Sequence, residues 1–143
     1  MSNKTMENDS VSFNLPISIK MKEISTLLCC AFEGGFIDWI VSSKINIGDH
    51  QMDDFGEGGK FNNAKHYFNP SQIIPTIPGC SIVIKVEDDD NEYALDLEAI
   101  NKGLMIMAKD HFNHFADFVL ENYDAITGDV FLQLCLFGKL IYA

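Results

Sequence analysis

Ile24, Leu27, Leu28 and Ala31 recur at the i, i+3, i+4, i+7 spacing of one helical face, and Gly34-Gly35 follow as a stop. A first helix is therefore expected over residues 20–33. Beyond it, Ile37, Trp39, Val41, Ile45 and Ile47 take alternate positions, with Asp38, Ser42, Lys44 and Asn46 between them, which predicts a half-buried strand. The pattern is lost over residues 48–65, where acidic residues and glycines collect. This stretch reads as a long, flexible, acidic loop, of the kind that is usually functional or disordered. A short strand is expected at residues 66–69, after which Pro70, Pro75, Pro78 and Gly79 exclude a regular central element.

Alternation returns at Cys80, Ile82, Ile84 and Val86, and an acidic run precedes Tyr93-Ala94-Leu95, so a β-hairpin with a solvated acidic turn is expected. The last third is helical. Asp96 is a good cap for a helix with Leu97, Ile100, Leu104 and Met107 on one face, and Asp110 for a second carrying Phe112, Phe115, Phe118 and Val119. Thr127 is the expected cap of a third, whose residues 130–137 are apolar nearly all round and so predict a central, buried element. Gly138 ends it, and residues 139–143 suggest a closing strand. The predicted class is α+β: an N-terminal helix, an antiparallel sheet with a long acidic loop, and a C-terminal bundle of three helices packed on the sheet. Residues 1–12, polar and without periodicity, read as a flexible leader to a single domain over residues 13–143.

Charge narrows the classes of function. Against 21 Asp and Glu stand 10 Lys and Arg, a formal net charge of -11, which disfavours direct nucleic-acid binding and anionic membranes. Basic protein partners fit, including nucleic-acid-handling enzymes whose DNA groove an acidic surface would fill. No apolar run approaches the ~20 residues of a membrane span, and the first twenty residues lack the apolar centre of a secretory signal, so a cytoplasmic location is expected. Cys29, Cys30, Cys80 and Cys135 lie in apolar segments without a C-x-x-C pair and are expected to be buried thiols packing as small hydrophobes.

Little in the chain carries catalytic chemistry. His111 and His114, with Asp110 and Asp117, could face a metal from one helix, but no distant third ligand is evident and an exposed polar helix start explains them. His50 and His66 border the acidic loop without a partner motif. Phe55-Gly56-Glu57-Gly58-Gly59-Lys60-Phe61 lacks phosphate-loop spacing and has Phe61 where a magnesium-binding hydroxyl belongs. Asp88, Asp90 and Glu92 alternate like calcium ligands, yet Tyr93 replaces the required glycine and Ala99 the bidentate Glu. No catalytic residue, metal or cofactor is assigned. Asp49, Asp53, Asp54 and Glu57 of the loop and Glu87, Asp88, Asp89, Asp90 and Glu92 of the hairpin would form one partner-binding surface if the two lie side by side. Otherwise they are a solvated face that aids solubility.

At Ala31-Phe32-Glu33-Gly34-Gly35 followed by Trp39, and again at His114-Phe115-Ala116-Asp117-Phe118 and Gly128-Asp129-Val130-Phe131-Leu132-Gln133, the chain resembles a family of small proteins encoded by phages and prophages. The acidic middle loop is the divergent part. The resemblance implies a phage accessory protein, many of which disable a host defence by binding one of its components, and it brings no catalytic residues. The expected function is a non-enzymatic inhibitor of a CRISPR or restriction effector, binding a basic surface of that host protein through the acidic loops. Two alternatives come from other classes: a sponge for a small nucleotide signal, with Trp39, Tyr67, Phe68 and Tyr93 stacking a base and Lys60 or Lys65 meeting phosphate, and a metal-dependent enzyme built on His111 and His114. A homodimer is an open alternative for the assembly.

Overall fold

Asp96 accepts a hydrogen bond from Ala99 N at 2.9 Å, and Asp124 from Ile126 N and Thr127 N at 3.0 and 3.1 Å, so two aspartates set the starts of the two long C-terminal helices. The computed structural model describes residues 9–63 and 65–142. Its elements are α1 (Met21–Glu33), β1 (Ile40–Asn46), a short α2 (Pro70–Ile73), β2 (Ser81–Val86), β3 (Asp89–Leu95), α3 (Leu97–Asp110), α4 (Phe112–Val119) and α5 (Ala125–Phe137). Single 3-10 turns lie at Met52–Phe55 and Ile74–Thr76. The strands form one antiparallel sheet in the order β1-β2-β3. The α+β class, the N-terminal helix and the C-terminal helices are those the sequence predicts.

Helix α5 is the centre. Thr127, Gly128 and every residue from Val130 to Leu136 are buried, and α1, α3 and β3 pack around the helix. Two glycines set how closely the neighbours approach. A Cβ on Gly128 would lie 2.6 Å from Ala31 N in α1, and one on Gly103 of α3 would lie 2.5 Å from Cys135 Sγ. Backbone thus meets backbone at the α1–α5 crossing, which no larger residue permits.

Several local expectations change. Asp110 is the last residue of α3, and His111 takes the cap position of α4 without a side-chain cap bond. Asp124, not Thr127, caps α5, because its carboxylate reaches two free amides while Thr127 is buried inside the first turn. Trp39 and Ile37 precede β1 rather than belonging to it. The strand lies at the sheet edge, beyond the cover of the helices, and Val41 and Ile45 are 64% and 42% exposed. Cys80 and Cys135 are buried but Cys29 and Cys30 only partly so; all four are free thiols, each held above its ordinary pKa chiefly by burial.

The stretch read as a flexible loop is folded. Phe55 is fully buried and packs on Phe61 at 5.3 Å, with His50 edge-on to Phe61 at 5.1 Å. Buried Asn62 donates to Phe55 O and Phe68 O and accepts from Phe68 N at 3.1 Å, so one side chain closes the loop on the next segment. Residues 66–69 consequently form no strand. Asn69 instead caps α2 in a reciprocal box with Gln72. Of the expected leader, residues 1–8 lie outside the described residues; residues 9–12 are exposed.

Truncating Phe131 or Leu134 to Ala should cost about 2–5 kcal/mol in denaturant unfolding. Gly128→Ala should also destabilise, by about 1–3 kcal/mol, although alanine favours a helix, because the added methyl meets the backbone of α1.

Candidate functional site: an acidic hairpin on an aromatic base

The β2–β3 hairpin is not symmetrical. Lys85 pairs with Glu92 and Val86 with Asp89, which leaves Asp90 and Asn91 as extra residues on β3. Asp89 closes this bulge by accepting from Asn91 N at 2.8 Å and from the Tyr93 hydroxyl. The Tyr93 bond, then the Asn91 amide, holds the Asp89 carboxyl below its usual range, and the same bond raises the Tyr93 hydroxyl. Glu87 N donates to Trp39 O at 3.1 Å and ties the turn to the segment before β1.

Beneath the turn lies an aromatic cluster. Trp39, 2% exposed, stacks on Tyr142 at 5.1 Å and 4°, and Tyr93 meets Phe137 edge-on at 4.8 Å. The cluster is fixed by two polar residues of α5. Asp129 accepts from Trp39 Nε1 at 3.2 Å and from Gln133 Nε2 at 3.0 Å. Fully buried Gln133 also accepts from Ile141 N and Tyr142 N, at 2.8 and 2.9 Å, and donates to Tyr142 O at 3.0 Å. Its amide therefore satisfies all its bonding capacity and stands in for a neighbouring strand. That is why residues 139–142 form no closing strand; residue 143 lies outside the described residues. Burial holds the Asp129 carboxyl above its ordinary pKa, against the two donated bonds that lower it and with a smaller push from Asp38. Tyr142 is raised by burial and then by the charge of Asp88, beside which its hydroxyl lies.

Glu87, Asp88, Asp90 and Glu92 are exposed and Asp89 half-buried on this hairpin. The acidic surface continues into a groove of about 270 Å³ lined by Glu92, Tyr93, Asp96, Glu98 and Lys102. Asp49, Asp53, Asp54 and Glu57 are elsewhere. They follow the Asn46 end of β1, which pairs with Ser81, whereas the turn follows Val86, which pairs with Ile40. At about 3.3 Å per residue the sheet sets the two groups about 20 Å apart. The loop and the hairpin therefore do not lie side by side, and His50 takes up Asp54 at 3.8 Å within the loop itself.

The residues of the other two readings are also dispersed. Trp39 is already stacked and buried, while Tyr67, Phe68, Lys60 and Lys65 belong to the Asn62-closed segment, where Lys60 lies 5.2 Å over Phe61. His114 Nδ1 is buried without a hydrogen-bond partner, and among the described residues no three His, Cys, Asp or Glu side chains gather as metal ligands. The sequence assigns no site role to Asp38, Asp129, Gln133 or Tyr142. A signal existed for two of them, since Asp129 and Gln133 are four apart on a helix otherwise almost wholly apolar, and buried polar residues require partners. No helix among the described residues is long and apolar enough to cross a membrane. No protein-family model, curated protein or solved structure matches the chain.

Gln133→Leu should leave Asp129 with one donor fewer and release the tail, costing about 1–3 kcal/mol. Because Trp39 is the one tryptophan, its fluorescence should shift to the red as Tyr142 leaves its face. Asp129 also makes a prediction in pH. Its folded pKa lies above the ordinary 3.8, so its contribution is full below that value and is lost as pH rises through the folded pKa. The slope of unfolding free energy against pH in this window should become less negative in Asp129→Asn.

Proposed function

We propose that this chain is a phage-encoded, non-enzymatic inhibitor of a bacterial defence effector, and that the acidic hairpin with its adjoining groove is the recognition surface. The observation that carries this reading is the bulged hairpin: five carboxylates lie between residues 87 and 92, on a turn braced by Asp89 and seated on Trp39, Tyr93 and Tyr142. Charges held in place before binding lose little conformational entropy on association, and they attract a basic groove from a distance. A partner that uses such a groove to hold nucleic acid, as CRISPR and restriction effectors do, would be occupied by a protein of net charge -11 acting as a phosphate mimic. The resemblance to phage proteins at residues 31–35 with Trp39, 114–118 and 128–133 supports the setting, a bacterial cytoplasm. The folded loop of residues 48–63 is then scaffold, its charges serving solubility.

The test is protection of a targeted phage in cells expressing the protein, coupled to binding of the purified effector. Wild-type protein should restore plaque formation and bind less tightly as salt rises. Asp88→Lys with Asp90→Lys should weaken binding roughly tenfold or more and flatten its salt dependence, whereas Asp49→Lys with Asp53→Lys should do neither. Equal binding by both pairs would remove the hairpin as the surface. CRISPR and restriction targeting left undiminished at high expression would remove the inhibitor reading itself.

A further inference from the structure

Residues 11–19 read Val-Ser-Phe-Asn-Leu-Pro-Ile-Ser-Ile, apolar at every odd position and polar or proline at every even one. That is the period of a strand with one apolar face. In the structure the segment has no regular secondary structure, and its apolar side chains emerge progressively: Ile17 is 56% exposed, Leu15 68%, Phe13 80% and Val11 89%. Leu15, Ile17 and Ile19 touch a groove of about 240 Å³ formed by Leu104, Met105 and Phe115 of α3 and α4. From that anchor the segment leaves the body of the molecule. Four consecutive odd positions thus keep more than half of each apolar side chain in water, where burial would be favourable.

The same chain carries an edge of matching character. Among the described residues strand β1 pairs only with β2, and beyond a bulge at Val41 its residues 42–46 are regular. Ser43 and Ile45 stand opposite Ile84 and Ile82, both buried, so the apolar face of the sheet runs on into β1 and ends there uncovered. The far edge is different. β3 is bulged at Asp90 and Asn91 and bears Glu92, features that discourage a further strand.

Three observations make the two features complementary. First, Pro16 belongs to the even set with Ser12, Asn14 and Ser18. Alternate residues of a strand direct their amides to opposite sides, so a strand hydrogen-bonded through its odd residues turns the proline outward, where the missing N–H costs nothing. Second, residues 10–19 carry no charge and β1 only Lys44, so the two meet without the repulsion that a net charge of -11 imposes elsewhere. Third, the anchor of the segment is on α3 and α4, and α3 packs on β3, the opposite edge of the sheet from β1. The free part of the segment thus starts from elements that pack on the edge opposite its own β1.

We propose that residues 11–16 of one copy add as a fourth strand to the β1 edge of a second copy, and the reverse, while Ile17 and Ile19 keep their own groove, forming a two-fold, arm-exchanged homodimer. The exchange covers the apolar face that β1 leaves open, and each added strand ends its sheet with Pro16 facing out. The assembly is independent of the inhibitor reading, since neither junction uses the acidic hairpin.

Light scattering on the full chain should show twice the chain mass from low to high micromolar concentration, and hydrogen exchange should show protection at both residues 11–16 and residues 42–46 that is lost in a monomeric variant. Phe13→Asp with Leu15→Asp, and separately Val41→Lys with Ile45→Lys, alter exposed positions and should each give a folded monomer by circular dichroism and light scattering. Mixing the two variants should restore a heterodimer through one intact junction. A wild-type monomer throughout the range would overturn the proposal, as would an arm variant that still dimerises, protection confined to residues 42–46, or a mixture that stays monomeric.

Discussion

A helix that is apolar on every side has no face to leave in water, and α5 imposes that condition on the whole chain. The cover comes from elements distant in sequence: α1 before it, α3 and the sheet between, and the tail after it. Gly128 and Gly103 let α1 and α3 approach closely enough to close the gaps, where a packed interior gains dispersion energy that a looser one forfeits. The remaining opening, at the C-terminal end of α5, is closed by polar means. Gln133 holds the tail by its backbone, and the tail carries Tyr142 over Trp39.

This closure links stability to the candidate site. The cluster of Trp39, Tyr93, Phe137 and Tyr142 is at once the last layer of core and the seat of the hairpin, and Asp129 connects the two through Trp39 Nε1 and Gln133. A carboxylate there is costly, since burial favours its protonated form, but it supplies acceptors for two buried donors that otherwise have none. The hairpin above it holds like charges close together. Asp89 offsets part of that repulsion by accepting from Asn91 and Tyr93, which fixes the bulge and with it the directions of its neighbours.

What the sequence discloses follows the range over which each element is determined. Helices α1, α3 and α5 are legible because their apolar spacing and stops are local, and Asp96 caps α3 as expected. The hairpin is legible for the same reason. The loop of residues 48–63 is misread because its order rests on two buried residues, Phe55 and Asn62, within a polar background. The tail is misread because its hydrogen-bonding partner is a side chain rather than a strand, and β1 because alternation does not say whether a second layer will cover the strand. The acidic residues are legible as types but not as a surface. Only the strand register separates the loop group from the hairpin turn, and only the folded groove joins Glu92 to Asp96 and Glu98.

That separation gives the charge of the protein a spatial meaning. A chain with net charge -11 repels its own copies, so any surface it uses on itself has to be one where the charge is locally absent, and any surface it uses on a basic partner has to be one where the charge is dense. Residues 10–19 and β1 meet the first condition, with Lys44 as their one charged side chain, and the hairpin meets the second. The alternation of residues 11–19 sits beside a polar stretch that draws attention away from it, yet it is the same period-two pattern that correctly marks β2. In β2 the apolar positions found a partner within the chain. In residues 11–19 they remain in water, and their exposure, increasing from Ile17 to Val11, separates a strand that has found its sheet from one that has not.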